Sequence, residues 1–133
     1  MFGLDTNVLA RYYVREGGRA QAQEEAARNL IERGGPLFVP KTVLLELEWV
    51  LRYSYALDGP TIIHAISALL DMKRVVPEDE SAVREALTLM AKSIDFADAL
   101  HLASSSACKD MATFDQAFAK KAKRAGRGRV ALS

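Results

Sequence analysis

A single cysteine, Cys108, occurs in the 133 residues, so no disulfide can form within the chain, and a lone thiol in an alanine-containing helix end reads as packing rather than chemistry. No apolar run is long enough to cross a bilayer, and the opening Met-Phe-Gly-Leu-Asp-Thr-Asn lacks the basic-then-apolar order of a secretory signal. A cytoplasmic location is therefore the expectation. Repeats and linkers are also missing. With 50% of the residues hydrophobic and 26% charged, residues 1–133 fit one compact domain able to bury a core. Acids are absent after Asp115, where Lys120, Lys121, Lys123, Arg124, Arg127 and Arg129 follow, so the net charge of +1 conceals an acidic body and a basic tail. That asymmetry suits a protein that holds a polyanion and catalyses with carboxylates, and a solvated helix end gives the same pattern.

Short apolar runs alternate with helical periodicities. Phe2 to Leu4 reads as a buried strand that hands over at Asp5-Thr6-Asn7 to a helix reaching Val14. Ala22, Ala26, Ala27, Leu30 and Ile31 mark one face of a helix from Arg19 to Arg33, stopped by Gly34-Gly35-Pro36. Leu37 to Val39 forms a strand closed by Pro40, and Val43, Leu44, Leu47, Val50 and Leu51 recur at helical spacing from Thr42 to Tyr55. Asp58-Gly59-Pro60 starts a helix that runs through Leu70. Val75-Val76 is a very short strand, Glu80 to Lys92 a helix, and Asp95 a candidate cap for a helix from Phe96 to Ala107. Met111 to Phe114 reads as a strand, Asp115 opens a last helix, and Val130 to Leu132 reads as an edge strand. This alternation predicts an α/β fold: a mainly parallel, short-stranded sheet with helices on both faces.

In such sheets ligands bind beyond the carboxyl ends of the strands. Asp5 and Asp115 each follow a strand directly, while Glu46 and Asp98 each sit about one turn into a helix that can start on the same edge. The four scattered acids can thus share one rim. Gathered carboxylates repel and raise one another's pKa unless a cation or proton intervenes. Magnesium and manganese favour hard oxygen ligands, and phosphodiester hydrolysis needs an activated water, neutralised phosphate oxygens and a stabilised leaving group.

Four segments in order, Leu4-Asp5-Thr6-Asn7-Val8-Leu9, Val43 to Leu51 around Glu46, Asp95-Phe96-Ala97-Asp98-Ala99-Leu100, and Thr113-Phe114-Asp115, resemble the PIN-domain ribonucleases, in particular the VapC-type toxins of toxin–antitoxin pairs. The resemblance runs essentially from end to end. It implies a PIN-like three-layer sandwich and endonucleolytic cleavage of RNA, often tRNA or rRNA, with Mg2+ or Mn2+. Asp5, Glu46, Asp98 and Asp115 would be the catalytic, metal-holding acids. It also implies a homodimer and a small antitoxin that blocks the acidic groove, with no membrane involved.

Periodicity alone does not choose between Glu46 and Glu48, which flank the apolar stripe on opposite edges; the family pattern selects Glu46 and leaves Glu48 solvated. Asp95 is either an N-cap or a contributor at the edge of the metal site. Thr6 and Asn7 can start the first helix, and the resemblance adds that Asn7 orients Asp5 or a water at the ion. Thr113 either lines the site or is an ordinary strand threonine. His101, one turn after Asp98, and His64 read as non-catalytic. Leu45, Trp49 and Tyr53 fall on the side of their helix away from its apolar stripe, where they form a partner-binding patch unless another helix covers them. Arg11, Lys41, Arg52 and Lys92 lie close in sequence to the acidic motifs and are candidates for countering phosphate charge.

Two other readings compete. A PIN scaffold that binds RNA or protein without cutting would carry the acids as residues without catalytic use. A phosphoacceptor receiver domain would need paired acids after its first strand and a lysine after a late one, whereas this chain has single aspartates there.

Overall fold

The computed structural model describes residues 1–127 and the backbone of residues 130–132. Arg129, counted above in the basic tail, lies outside the described residues. The chain divides into two compact units, Met1–Glu80 and Ser81–Ser133.

The first unit runs β1 (Phe2–Gly3), α1 (Thr6–Tyr13), a 3-10 turn (Gly18–Ala20), α2 (Gln21–Arg33), β2 (Leu37–Val39), α3 (Lys41–Trp49), a π turn (Val50–Ser54), α4 (Gly59–Asp71) and β3 (Val75–Pro77). Its strands form a parallel sheet with β2 in the middle: Phe2 pairs with Leu37, and Leu37 in turn with Val75. The central position explains why Leu37 and Val39 are fully buried. Leu9, Ile31, Leu44, Leu47, Ile62 and Ile66 are equally buried, each contributing about 1.5–3 kcal/mol.

Local chemistry fixes the helix ends. Asp58 accepts a hydrogen bond from the Thr61 amide at 2.9 Å, and Pro60 occupies the first turn of α4, where its missing N–H costs nothing. Arg74 closes the other end of α2, donating to the carbonyls of Gly34, Ile31 and Glu32 that have no partner within the helix. Buried Glu24 accepts from the Glu16 amide at 2.7 Å and the Gly17 amide at 3.3 Å, tying the α1–α2 connection to α2.

One expectation is corrected in this unit and another is refined. The first strand is not buried: Phe2 is 65% exposed, and only Leu4, after the strand, reaches the core. A two-residue edge strand has one neighbour and cannot cover both its faces. The continuous helix expected from Thr42 to Tyr55 is present but changes type, α3 passing at Val50 into the wider π turn. Side-chain periodicity misses this widening because Leu47 and Leu51 stay on the buried face.

The second unit holds α5 (Glu80–Ala91, whose first residue closes the first unit), α6 (Phe96–Ser104), β4 (Met111–Thr113), α7 (Gln116–Arg124) and β5 (Val130–Leu132). β4 and β5 pair in parallel, Met111 opposite Val130. The strands therefore hydrogen-bond as two parallel sets, three and two. Helix α6 ends a turn earlier than the sequence suggested. Ser104-Ser105-Ser106 breaks it, because serine hydroxyls compete for backbone partners, and the Cys108 amide turns back to the Ser105 carbonyl at 2.9 Å. Cys108 is consequently exposed beyond the helix rather than packed at its end. No helix among the described residues is long and apolar enough to cross a membrane.

Candidate active site

In the first unit the acids are organised by Thr6. Asp5 is the N-cap of α1 and exposed; its Oδ1 accepts from the Thr6 amide at 2.7 Å. The Thr6 side chain is buried, and its hydroxyl donates to Glu46 Oε1. Asp5 and Glu46, 41 positions apart, are thus joined through one threonine. The topology produces this because β1 and β2 are parallel, so the residues following both strands emerge at the same sheet edge. Asn7, the next residue, is exposed on α1.

The pattern of helix α3 separates its two glutamates opposite to expectation in burial. Glu46 is exposed, whereas Glu48 is 4% exposed and paired with Arg52 one turn later, with Nε at 2.6 Å. The solvated role foreseen for Glu48 is therefore corrected: an i,i+4 arginine neutralises it, and burial follows. That spacing was readable in the sequence. Trp49 and Tyr53 are exposed, as foreseen, with ring centroids 5.3 Å apart.

The second unit gathers three aspartates. Burial raises the Asp98 carboxyl above its ordinary pKa, the charges of Asp95 and Asp115 raise it further, and His101 and Lys121 act in the opposite sense. Asp98 is the half-buried member; Asp95 and Asp115 are exposed. Asp95 occupies the N-cap position of α6 without making the side-chain cap bond. Asp115 does cap its helix, accepting from the Phe118 amide at 2.9 Å, and its own amide donates to Thr113 Oγ1 at 3.0 Å. Thr113 thereby holds the turn that aims Asp115. His101 is exposed one turn after Asp98.

The donors in both units are carboxylate and hydroxyl oxygens, the set that suits a hard divalent cation. Among the described residues no three His, Cys, Asp or Glu side chains stand close enough to form a closed cage. Magnesium does not require one, since it keeps several waters and is commonly held by one or two carboxylates.

The cations near the motifs are largely committed elsewhere. Arg11 meets Glu16 at 3.6 Å and Gln23 at 3.1 Å, Lys41 meets Asp79 at 3.3 Å, and Arg52 is held by Glu48. Lys92 is exposed.

Residues 3–124 match the profile of the PIN domain family. The chain belongs to the PIN domain family. The parallel strands interleaved with helices are the α/β architecture of a PIN-like fold. Over 89 residues the PIN chain is 29% identical to a protein named VapC ribonuclease from Aquifex aeolicus (strain VF5), a match covering 67% of this chain and 66% of that protein. The match thus falls just short of two thirds of that relative's length.

Proposed function

We propose that this PIN-domain chain is a VapC-type endoribonuclease that hydrolyses RNA phosphodiester bonds with Mg2+ or Mn2+, acting as the toxin of a toxin–antitoxin pair. The observation that carries the reading is the crowding at Asp98. Burial raises its carboxyl above the ordinary range and the charges of Asp95 and Asp115 raise it further, a cost that a bound cation would remove. The similarity to VapC ribonuclease supports RNA as the substrate.

In this reading Asp5, Glu46, Asp98 and Asp115 would be the metal-holding acids that the family resemblance implies. Bound there, a divalent ion supplies neutralisation of phosphate oxygens and a lowered pKa for the attacking water. The chain's own residues set orientation. Thr6 fixes one oxygen of Glu46 and leaves the other available, and the cap bonds to Thr6 and Phe118 restrict the rotation of Asp5 and Asp115. Such supporting bonds hold ligands in productive geometry. The exposed Trp49–Tyr53 pair suits a second copy of the chain or the antitoxin.

Cleavage of total RNA with and without divalent metal, with mapping of the ends, tests the proposal. Cutting should require Mg2+ or Mn2+ and vanish in Asp5→Asn and Asp98→Asn. Metal-independent cutting, or full activity in both variants, refutes it. A second reading, RNA or protein binding without catalysis, is favoured by the absence of a closed three-ligand group among the described residues. RNA binding that survives loss of the acids, with no bound metal by calorimetric titration, would establish that reading instead.

A further inference from the structure

Helix α7 reads Gln-Ala-Phe-Ala-Lys-Lys-Ala-Lys-Arg and contains no acid. Phe118, Ala119 and Ala122 are buried, and Lys120, Lys121, Lys123 and Arg124 are exposed. At 3.6 residues per turn, Lys120 and Arg124 lie opposite the buried face, Lys121 flanks them on Arg124's side, and Lys123 lies on the other flank. None of these four side chains has an ion-pair partner among the described residues. That contrasts with Arg11, Lys41 and Arg52, which are all paired. Basic residues in a last helical turn do complement the helix dipole, but one or two serve that purpose. Here Lys120 with Arg124 and Lys121 with Arg124 are like-charge neighbours at i,i+4 and i,i+3 spacing, an arrangement that destabilises an isolated helix. A polyanion lying along the stripe would relieve that repulsion.

We infer that the Lys120–Lys121–Arg124 face of α7 is a phosphate-binding track that carries the RNA strand toward Asp115, the residue from which the helix starts. The helix itself supplies the placement: α7 begins at Asp115, which caps it, and the stripe follows within two turns. The track rests on the ribonuclease reading and adds to it the surface that holds the substrate. Its contacts are to backbone phosphates, so it confers affinity without sequence preference.

Binding of a fluorescein-labelled single-stranded oligoribonucleotide by the full chain, without divalent metal and between 50 and 300 mM KCl as roughly the range where counterion release is read, tests the track. The double variant Lys121→Gln/Arg124→Gln should reduce the slope of log K against log salt by about 1.4, the release expected for two single-strand phosphate contacts. Affinity at the lowest salt should fall at least about tenfold, while the matched control Lys73→Gln/Arg33→Gln, which removes two exposed cations elsewhere, keeps the wild-type slope. An unchanged slope in the double variant, with wild-type protein still cleaving RNA, overturns the track and leaves the ribonuclease reading standing. Wild-type protein that neither binds nor cleaves RNA overturns both. Equal loss of binding to a polyglutamate peptide would assign the stripe to an acidic protein and likewise overturn it. Thermal melts of the double variant at or above wild-type Tm exclude loss of fold as the cause.

Discussion

The two glutamates of α3 offer a test in which stability and activity should separate. Glu48 is buried and charge-paired with Arg52, while Glu46 is exposed and tied to Thr6. Glu48→Ala removes a charge-assisted hydrogen bond of the kind that contributes about 1.5–3 kcal/mol. The Arg52 side chain is 31% exposed, so on losing Glu48 it regains part of its hydration and the cost falls to about 1–2 kcal/mol. For 133 residues the entropy of unfolding is about 0.28 kcal/mol/K, which converts that cost into a Tm loss of about 4–7 °C. Cleavage per folded molecule should stay within about twofold of wild type. Glu46→Gln should do the reverse. Its amide oxygen still accepts from Thr6, so Tm changes by no more than about 2 °C, but the charge is gone and cleavage drops at least about a hundredfold. Differential scanning fluorimetry and urea denaturation give the stabilities, and a fluorogenic RNA gives the rates below each transition. Loss of activity in Glu48→Ala with unchanged stability, or an active Glu46→Gln, refutes the assignment of these two roles.

Asp98→Asn should abolish cleavage and raise Tm by a few degrees at neutral pH. Because the folded-state pKa of Asp98 is raised by burial and by Asp95 and Asp115, its charge opposes folding above that pKa; the stability gap to wild type should be fully open there and close as pH falls toward the ordinary carboxylate value, as read from urea midpoints across pH. Mg2+ at ten times its dissociation constant should stabilise wild type by about 1.4 kcal/mol and leave Asp98→Asn unmoved in the same melts. Thr6→Val, which keeps the buried shape but loses the hydroxyl held by Glu46, should cut activity about 10–100-fold with a small change in Tm. Arg74→Met frees three α2 carbonyls and should cost about 2 kcal/mol while cleavage at low temperature persists.

Much of the fold was legible because its signals are local. Hydrophobic spacing located the helices, and Gly34-Gly35-Pro36 and Asp58-Gly59-Pro60 bounded them. What escaped depends on partners distant in sequence or on backbone detail. Nothing near Phe2 reveals that its strand has a single neighbour, and the π turn leaves the buried positions of α3 undisturbed. Among the site residues, Asp5 and Asp115 were readable from their strand-to-helix junctions, and both cap the helices they precede. The preference for Glu46 over Glu48 as a metal-holding acid comes from the family pattern alone, although the Glu48–Arg52 spacing carried a clue to the structural part of Glu48. The link from Thr6 to Glu46 spans 40 residues and has no sequence signature.

On the ribonuclease reading proposed above, Asp5 and Asp115 would each do two jobs with one side chain, since each also offers an oxygen to the first turn of its own helix. Such dual use would narrow the routes by which activity could be lost. A descendant that drifted to alanine at either position would forfeit a helix start worth about 1 kcal/mol as well as its chemistry. Inactive relatives that still fold should therefore carry asparagine, serine or threonine at these two positions. The identity of the replacement would then distinguish an enzyme disarmed under selection from one decaying without it.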